Sequence, residues 1–314
     1  MLILCKSRRE SKDGQEEACC TGYGISLVPV RLCICAPSTY CRGGANFDEK
    51  GQGSCLLKPH HENVLMRSLI IFVALLFLFV RAEAQPVSYA FSDGLGKGWR
   101  IASWQSPDSK VGLNHGTYVP DNVDVVDGVL RLKVEQAHGP DGVISKGAAV
   151  WTTQKFGYGT YEFVMRMASN SATPNGPGKA GSGTVSSAFL YFKNSETEMD
   201  VEFLGDKNCV WATNYRNRNP NAPPRYSPDV RTTDQVRNSS LADRFHLYRL
   251  VWQPKSVNWY IDGTLVASHH TNVPIAPAYI ILQIRGTNSD EWGGKATLNV
   301  TRYAYVKSVK FFPA

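Results

Sequence analysis

The chain has 314 residues and a mild basic excess, with 34 Lys and Arg residues against 27 Asp and Glu residues. The basic residues are not gathered into blocks, so composition and charge patterning do not indicate a nucleic-acid partner. No stretch keeps a sustained 3.6-residue apolar period, which argues against a helical fold. We therefore expect a β-rich globular protein.

A secretory signal is predicted at residues 66–84. Met66-Arg67-Ser68 supplies a basic start, Leu69 to Val80 an apolar run, and Ala82-Glu83-Ala84 a small-x-small cleavage site. The apolar run of 12 residues is too short to cross a hydrocarbon core of ~30 Å as a helix. We therefore expect cleavage after Ala84, a secreted, extracellular product and no stable membrane insertion afterwards. A signal anchor is the alternative.

Residues 1–65 precede this signal and hold seven of the eight cysteines. Their spacings match no zinc-binding pattern, and a disulfide module ahead of a signal peptide would have no clear route to an oxidising compartment. We expect this leader to be disordered and translation to begin at Met66. Only Cys209 remains beyond the signal, so the domain must fold without a disulfide, as a domain of this size can.

Residues 85–314 are predicted to form one all-β domain. Short alternating runs are separated by Gly, Asn and Pro turns; the stretch from Val123 to Val134, with Asp127-Gly128 at its centre, is typical of a β-hairpin. Trp252 and Trp259 lie in alternating strands and are expected in the core. Many short strands spaced in this way predict a β-sandwich.

Carboxyl groups alternate with apolar residues in one predicted strand. The set is Glu198, Asp200 and Glu202, interleaved with Met199, Val201 and Phe203. Because strand side chains point alternately to opposite faces, one face would carry three acids and the other would join the core. Neighbouring acids raise one another's pKa, which is useful in an acid–base site. A solvated edge strand could carry the same pattern, but the apolar run Val185 to Phe192 before it favours a buried central strand.

The segment from Glu198 to Gly205, Glu-x-Asp-x-Glu-Phe-Leu-Gly, resembles the signature of glycoside hydrolase family 16, especially its lichenase and xyloglucan endotransglycosylase branches. Further matches follow in family order at Gly157–Glu162, Val185–Phe189, Phe245–Tyr248, Trp252, Trp259–Gly263 and Asp290–Trp292. The resemblance covers roughly Tyr89 to Phe312. It implies a concanavalin-like β-jelly-roll sandwich with a concave carbohydrate-binding cleft.

The resemblance also implies a retaining, endo-acting glycosidase that cleaves mixed-linkage β-1,3-1,4-glucan or β-1,3-glucan. Glu198 would be the nucleophile and Glu202 the general acid and then base. Asp200 would hydrogen-bond Glu198 and help to keep Glu202 protonated near neutral pH. Because Cα atoms four residues apart on a strand are ~13 Å from each other, both glutamates must lean inward to act on one bond.

Substrate contacts are predicted at five further positions. The resemblance places Asn214, Tyr215 and Trp292 against the sugar, Glu196 extends the acid face to the cleft edge, and Trp151 is open between cleft and packing roles. A β-glucan polysaccharide is the expected partner and the domain is expected to be a monomer. No His or Cys grouping beyond the signal indicates a metal site, and no cofactor is expected.

The chain also departs from the family pattern. Glu196 replaces a tryptophan, Ala149 and Trp151 replace a Glu-x-Arg pair of the lichenases, Ile284 aligns with a second tryptophan, and Ala304 stands where an aspartate helps to bind calcium. These changes bear on substrate choice and leave calcium binding unsupported. A transglycosylase of the same fold is the alternative function. A non-catalytic jelly-roll lectin is a third reading, but it would not need the paired glutamates.

Overall fold

The computed structural model describes residues 85–104, 115–140, 142–223, 227–237 and 240–314. The predicted leader (1–65) and signal peptide (66–84) lie outside these ranges. None of the helical segments in the described ranges is long and apolar enough to cross a bilayer.

The described part of the chain forms sixteen β-strands. Their bounds are β1 Val87–Ala90, β2 Trp99–Ile101, β3 His115–Tyr118, β4 Val123–Val126, β5 Val129–Gly139, β6 Gly142–Thr152, β7 Gly159–Ser169, β8 Thr184–Phe192, β9 Thr197–Leu204, β10 Cys209–Tyr215, β11 Arg231–Arg237, β12 His246–Gln253, β13 Ser256–Ile261, β14 Thr264–His269, β15 Tyr279–Gly286 and β16 Arg302–Pro313. A 3-10 turn, Pro120–Asn122, precedes β4.

These strands build two sheets. The front sheet has the order β11-β10-β9-β8-β15-β6, with β2 paired to β6. The back sheet has the order β4-β5-β16-β7-β12-β13-β14, with β1 paired to β16. The antiparallel β5–β6 hairpin joins the sheets, and β3 pairs in parallel with β6. The predicted all-β jelly-roll sandwich is confirmed.

Short hairpin turns follow the predicted chemistry. Asp127 and Gly128 have φ values of 52° and 71°, and they connect β4 to β5. Two successive positive φ values define the type I′ turn, whose twist matches that of the flanking strands. Asp262 and Gly263 do the same between β13 and β14, with φ values of 50° and 83°.

The core lies between the two sheets. In β15, Ile280, Leu282 and Ile284 are fully buried, whereas the residues between them are half-buried. In β9 the inward residues Met199 and Phe203 are likewise fully buried in the main apolar cluster. Burial of this kind stabilises by about 1.5–3 kcal/mol for each large apolar side chain. The same alternation forces the remaining residues of both strands onto the outer face of the front sheet.

The loop between β7 and β8 is tied to the core at several points. The Arg166 guanidinium donates hydrogen bonds to the carbonyl oxygens of Pro174 at 3.0 Å and Gly176 at 2.8 Å, and its Nε donates to Ala242 O at 2.8 Å. This arginine is fully buried. Its bonds satisfy loop carbonyl groups that would otherwise have no regular partner.

Candidate active site

Glu198, Asp200 and Glu202 lie on the outer face of the front sheet. They alternate with the core residues of β9, and β9 has strands on both sides, β8 and β10. The acids therefore stand on a central strand, not on a solvated edge. We call the outer face of the front sheet the carboxylate face.

Glu198 begins this row, directly after a tight turn. Lys193, Asn194 and Ser195 all have left-handed φ values, between 41° and 60°. The turn brings the Ser195 hydroxyl within hydrogen-bond reach of Glu198 Oε2, to which it donates. Burial raises the pKa of Glu198 to about 7; the Ser195 hydrogen bond lowers it and the charge of Glu202 raises it.

Asp200 occupies the centre of the row and is 6% exposed. Its pKa lies well above the usual range, first because of burial and then because of the charges on Glu198 and Glu202. Phe189 and Thr213 are its partners on the two neighbouring strands. Burial and the two neighbouring charges therefore both favour the protonated form of Asp200.

Glu202 lies near cationic and aromatic side chains. Burial raises its pKa, while a hydrogen bond from the Trp292 side chain and the positive charges of Arg285 and Arg231 lower it. The Arg285 guanidinium carbon lies 4.8 Å from the Trp292 ring centroid. The following residue, Gly293, has φ +77°, and an added Cβ would lie 2.7 Å from a Val185 methyl group. A glycine is needed there for the loop to hold Trp292 against the sheet.

Neighbouring charges add to the effect of burial in this row: Glu202 raises the pKa of Glu198, and both glutamates raise the pKa of Asp200. Three adjacent negative charges are unfavourable in such a site, so protons are shared among them near neutral pH. A set that holds ionised and protonated carboxyl groups together can supply both a nucleophile and an acid.

Three of the five predicted substrate residues reach the carboxylate face. Tyr215 pairs directly with Glu198 across β9 and β10, and burial raises its pKa above the usual range. Trp292 contacts Glu202. Trp151 is half-buried on β6, in register with Ile281 of β15.

Asn214 faces the opposite way. It pairs with the core residue Met199 and is fully buried. Its Nδ2 donates to Thr271 O at 2.9 Å and Asn272 O at 2.6 Å, and its Oδ1 lies 2.6 Å from His269 Nδ1. From this position Asn214 cannot contact a sugar bound on the carboxylate face, a contact that the resemblance had implied. Asn214 instead ties a back-sheet loop to β10.

Glu196 does not extend the acidic strand. It lies in the turn before β9, and its backbone N–H donates to Lys193 O at 3.0 Å. The strand begins one residue later, at Thr197. The three left-handed residues at 193–195 explain the difference, because they rotate the chain away from the extended geometry that alternation requires.

Several residues of the carboxylate face were missed by sequence reasoning. They are Ser195, Arg231 and Arg285 beside the acids, and Trp104 and Tyr118 beside Trp151. Nothing in the sequence around Trp104 or Tyr118 links them to the acids. Arg285 could have been predicted from β15, because strand alternation places it on the face opposite to the core residues.

No group of three or more His, Cys, Asp or Glu side chains arranged to hold a metal occurs in the described ranges. Ala304, at the position of the expected calcium-binding aspartate, is fully buried in the core. Cys209 is a buried free thiol.

Comparisons with known proteins agree with this geometry. The sequence model of "Glycosyl hydrolases family 16" matches residues 114–304. A beta-glucanase of Bacillus amyloliquefaciens is 31% identical over 241 residues, 73% of this chain and 92% of that protein. A beta-glucanase of Paenibacillus polymyxa is 29% identical, over 77% of this chain and 94% of that protein. The crystal structure of a prokaryotic beta-1,3-1,4-glucanase (lichenase) derived from a mouse hindgut metagenome superposes with a TM-score of 0.59 at 25% identity, covering 74% of this chain and 100% of that one. The chain therefore belongs to glycosyl hydrolase family 16.

Proposed function

We propose that this protein is a secreted, endo-acting β-glucanase that works by a retaining double displacement. The observation that carries the proposal is the coupled row of Glu198, Asp200 and Glu202 on one face of a central strand. The relatives above are named for action on β-glucans, which supports that substrate class.

In the first step, Glu198 attacks the anomeric carbon of the bound sugar. Glu202 gives its proton to the leaving glycosidic oxygen, and the C–O bond breaks as a glycosyl–Glu198 ester forms. Both carboxyl groups of a retaining enzyme must reach the same bond, ~5–5.5 Å apart, and residues four apart on one strand share a face. Ser195 supports the assignment of Glu198, because its hydrogen bond favours the ionised form.

In the second step, Glu202 takes a proton from water, and the water oxygen attacks the anomeric carbon as its bond to the Glu198 carboxylate oxygen breaks. Glu198 leaves as a carboxylate, and the product keeps the configuration of the substrate. Asp200, between the two glutamates, holds a proton when both neighbours are ionised and so limits the negative charge of the row. Trp292 contacts Glu202 and supplies an aromatic surface for a sugar at the same point.

The test uses the intact protein with lichenan, laminarin, xyloglucan and agarose, followed by sizing of the products and identification of the new anomer. We expect internal cuts in lichenan or laminarin and a retained anomer. Glu198→Gln and Glu202→Gln should each lower kcat by at least about a thousandfold. Glu162→Gln is the matched control, because Glu162 is a half-buried strand glutamate paired with Arg249 on the back sheet, at 2.8 Å.

Other outcomes would replace the proposal. Full activity in Glu198→Gln would show that Glu198 is not the nucleophile. Products longer than the starting oligosaccharide, formed when a labelled acceptor is added, would identify a transglycosylase. Binding without cleavage would identify a lectin. Secretion is tested separately by sequencing the N-terminus of the exported protein, which should begin at Gln85.

A further inference from the structure

A groove lies near the edge of the sandwich where the end strands of the two sheets, β11 and β14, meet. It has a volume of about 970 Å³. Its walls come from the residues just after β10 and just before β11, from the β12–β13 turn and from the start of the β14–β15 connection. None of the three acids of β9 lines it, so it is separate from the catalytic row. We call it the basic groove; its basic lining residues are Arg216, Arg218, Lys255 and His270.

The walls of the basic groove are joined to one another. The Asn272 side-chain amide, from the β14–β15 connection, donates to Pro228 O, just before β11, at 2.8 Å. His270 Nδ1 lies 3.3 Å from Lys255 O in the β12–β13 turn. Asn272 has φ 51°, a left-handed conformation that asparagine adopts more readily than most residues. Because these contacts form within the protein itself, a ligand would find the walls already ordered, which lowers the cost of binding.

Positive charge exceeds negative charge in the basic groove. Arg216, Arg218 and Lys255 carry positive charges, and Asp229 is the acid among the described lining residues. None of the three cations forms an ion pair with a described carboxylate. Arg218 and Lys255 are exposed and Arg216 is half-buried, so their charged groups are accessible. Unpaired cations on one concave surface produce a positive potential that attracts an anion.

Shape and charge together indicate the class of ligand. Guanidinium groups bind oxyanions such as carboxylates through paired N–H donors. The groove is as large as sites that hold whole organic ligands, about 300–1,000 Å³, and is larger than a single inorganic anion needs. Thr271 also lines it, and hydroxyl groups of this kind hydrogen-bond sugar hydroxyls. A sugar chain that carries carboxylate groups meets all of these features.

We propose that the basic groove binds the carboxylate groups of an acidic polysaccharide, a chain of uronic acid units. The inference goes beyond the proposed function, because it concerns a second polysaccharide that is held without being cleaved. Binding in the groove leaves the three acids of β9 free. An enzyme bound in this way stays on a matrix that contains acidic chains while its catalytic row acts on a neutral glucan.

The experiment measures the affinity of the intact protein for polygalacturonate and for short galacturonate oligosaccharides, at low and at physiological ionic strength. We expect binding that weakens as salt rises, because exposed charges are screened. Arg218→Gln combined with Lys255→Gln removes one cation from each of two walls and should lower the affinity by about tenfold. Asp229→Asn removes the opposing charge and should raise the affinity about two- to threefold.

A matched control separates the groove from the net charge of the protein. Lys97→Gln combined with Lys310→Gln removes two exposed positive charges outside the groove and should keep the affinity. Hydrolysis of lichenan and the midpoint of thermal unfolding, measured on the same proteins, should be unchanged in both double variants. All four substituted cations of the two variants are exposed, so neither variant disturbs the core.

Each outcome decides the proposal. Equal loss of affinity in the two double variants would show that net charge alone attracts the polymer and would overturn the site. Inorganic phosphate that binds as tightly as a galacturonate oligosaccharide would overturn the polysaccharide assignment, and so would the absence of binding to polygalacturonate. Lichenan hydrolysis in any of these cases would leave the β-glucanase proposal standing. Binding that is lost in the Arg218 and Lys255 variant of a protein that cleaves no glucan would support the groove and remove the proposed function.

Discussion

Trp259 of the back sheet donates a hydrogen bond from its indole Nε1 to the backbone carbonyl oxygen of Asp200, at 2.8 Å. The indole is almost fully buried, so the bond crosses the core and reaches the middle of β9. It connects the packing of the two sheets to the position of the three acids.

We predict that Trp259→Phe destabilises the protein and slows catalysis. The substitution leaves a buried carbonyl oxygen without this donor, which costs about 1–3 kcal/mol in the free energy of unfolding. Because that carbonyl belongs to Asp200, we expect kcat to fall about tenfold, as small misplacements of catalytic groups do. Chemical denaturation and steady-state kinetics measure the two effects.

Trp252→Phe is the matched control for that prediction. Trp252 is also buried, and its Nε1 donates to Pro274 O at 3.1 Å, away from β9. It should lose similar stability and keep a kcat near that of the unmodified protein. If both variants lost kcat equally, Trp259 would have no special connection to the site.

We predict that Ser195→Ala moves the acid limb of the pH–activity profile upward. The Ser195 hydroxyl favours the ionised form of Glu198, so its loss raises the pKa of that carboxyl. Since the nucleophile must be ionised, kcat/KM on the acid side should fall about three- to tenfold. Ser187→Ala, which deletes a buried hydroxyl from the neighbouring strand β8, should leave the position of the acid limb unchanged. An unmoved limb in Ser195→Ala would contradict this role.

We predict that Arg285→Met moves the alkaline limb of the pH–activity profile to higher pH. The positive charge of Arg285 lowers the pKa of Glu202, so its removal lets Glu202 hold its proton to higher pH. As the general acid, Glu202 would then remain active at higher pH. Arg285→Lys keeps the charge but loses the planar contact with Trp292, so its alkaline limb should stay closer to that of the unmodified protein. A downward movement in Arg285→Met would show that Glu202 is not the acid whose ionisation ends activity.

We predict that the stability of the folded protein falls as pH rises from about 4.5 to about 7. Burial raises the pKa of Glu198 from 4.5 to about 7 in the folded state, so across this window the folded state binds more protons than the unfolded state. Stability then falls with increasing pH. Glu198→Gln, which cannot ionise, should exceed the unmodified protein by about 1–2 kcal/mol at pH 8. Denaturation curves with equal pH dependence for the two proteins would contradict the prediction.

Alternation along a strand accounts for most of what could be predicted about the site. It predicts Glu198, Asp200 and Glu202 on one face and Met199 and Phe203 in the core, which is where they lie. The same rule shows that Asn214 and Tyr215, as neighbours on a strand, cannot both face the sugar. Only the register of β10 against β9 decides that Tyr215 lies beside Glu198 and that Asn214 faces away.

The sequence by itself determined the all-β fold, its hairpin turns and the shared face of the three acids, because these depend on periods and turn residues that are local in the chain. The tertiary structure decided which distant side chains meet that face. Trp104, Tyr118 and Trp151, and likewise Trp292 and Arg285, are brought together by strand pairing and loop packing. The physical reason is that side-chain direction follows from neighbouring residues, whereas contacts between strands depend on how the whole core packs.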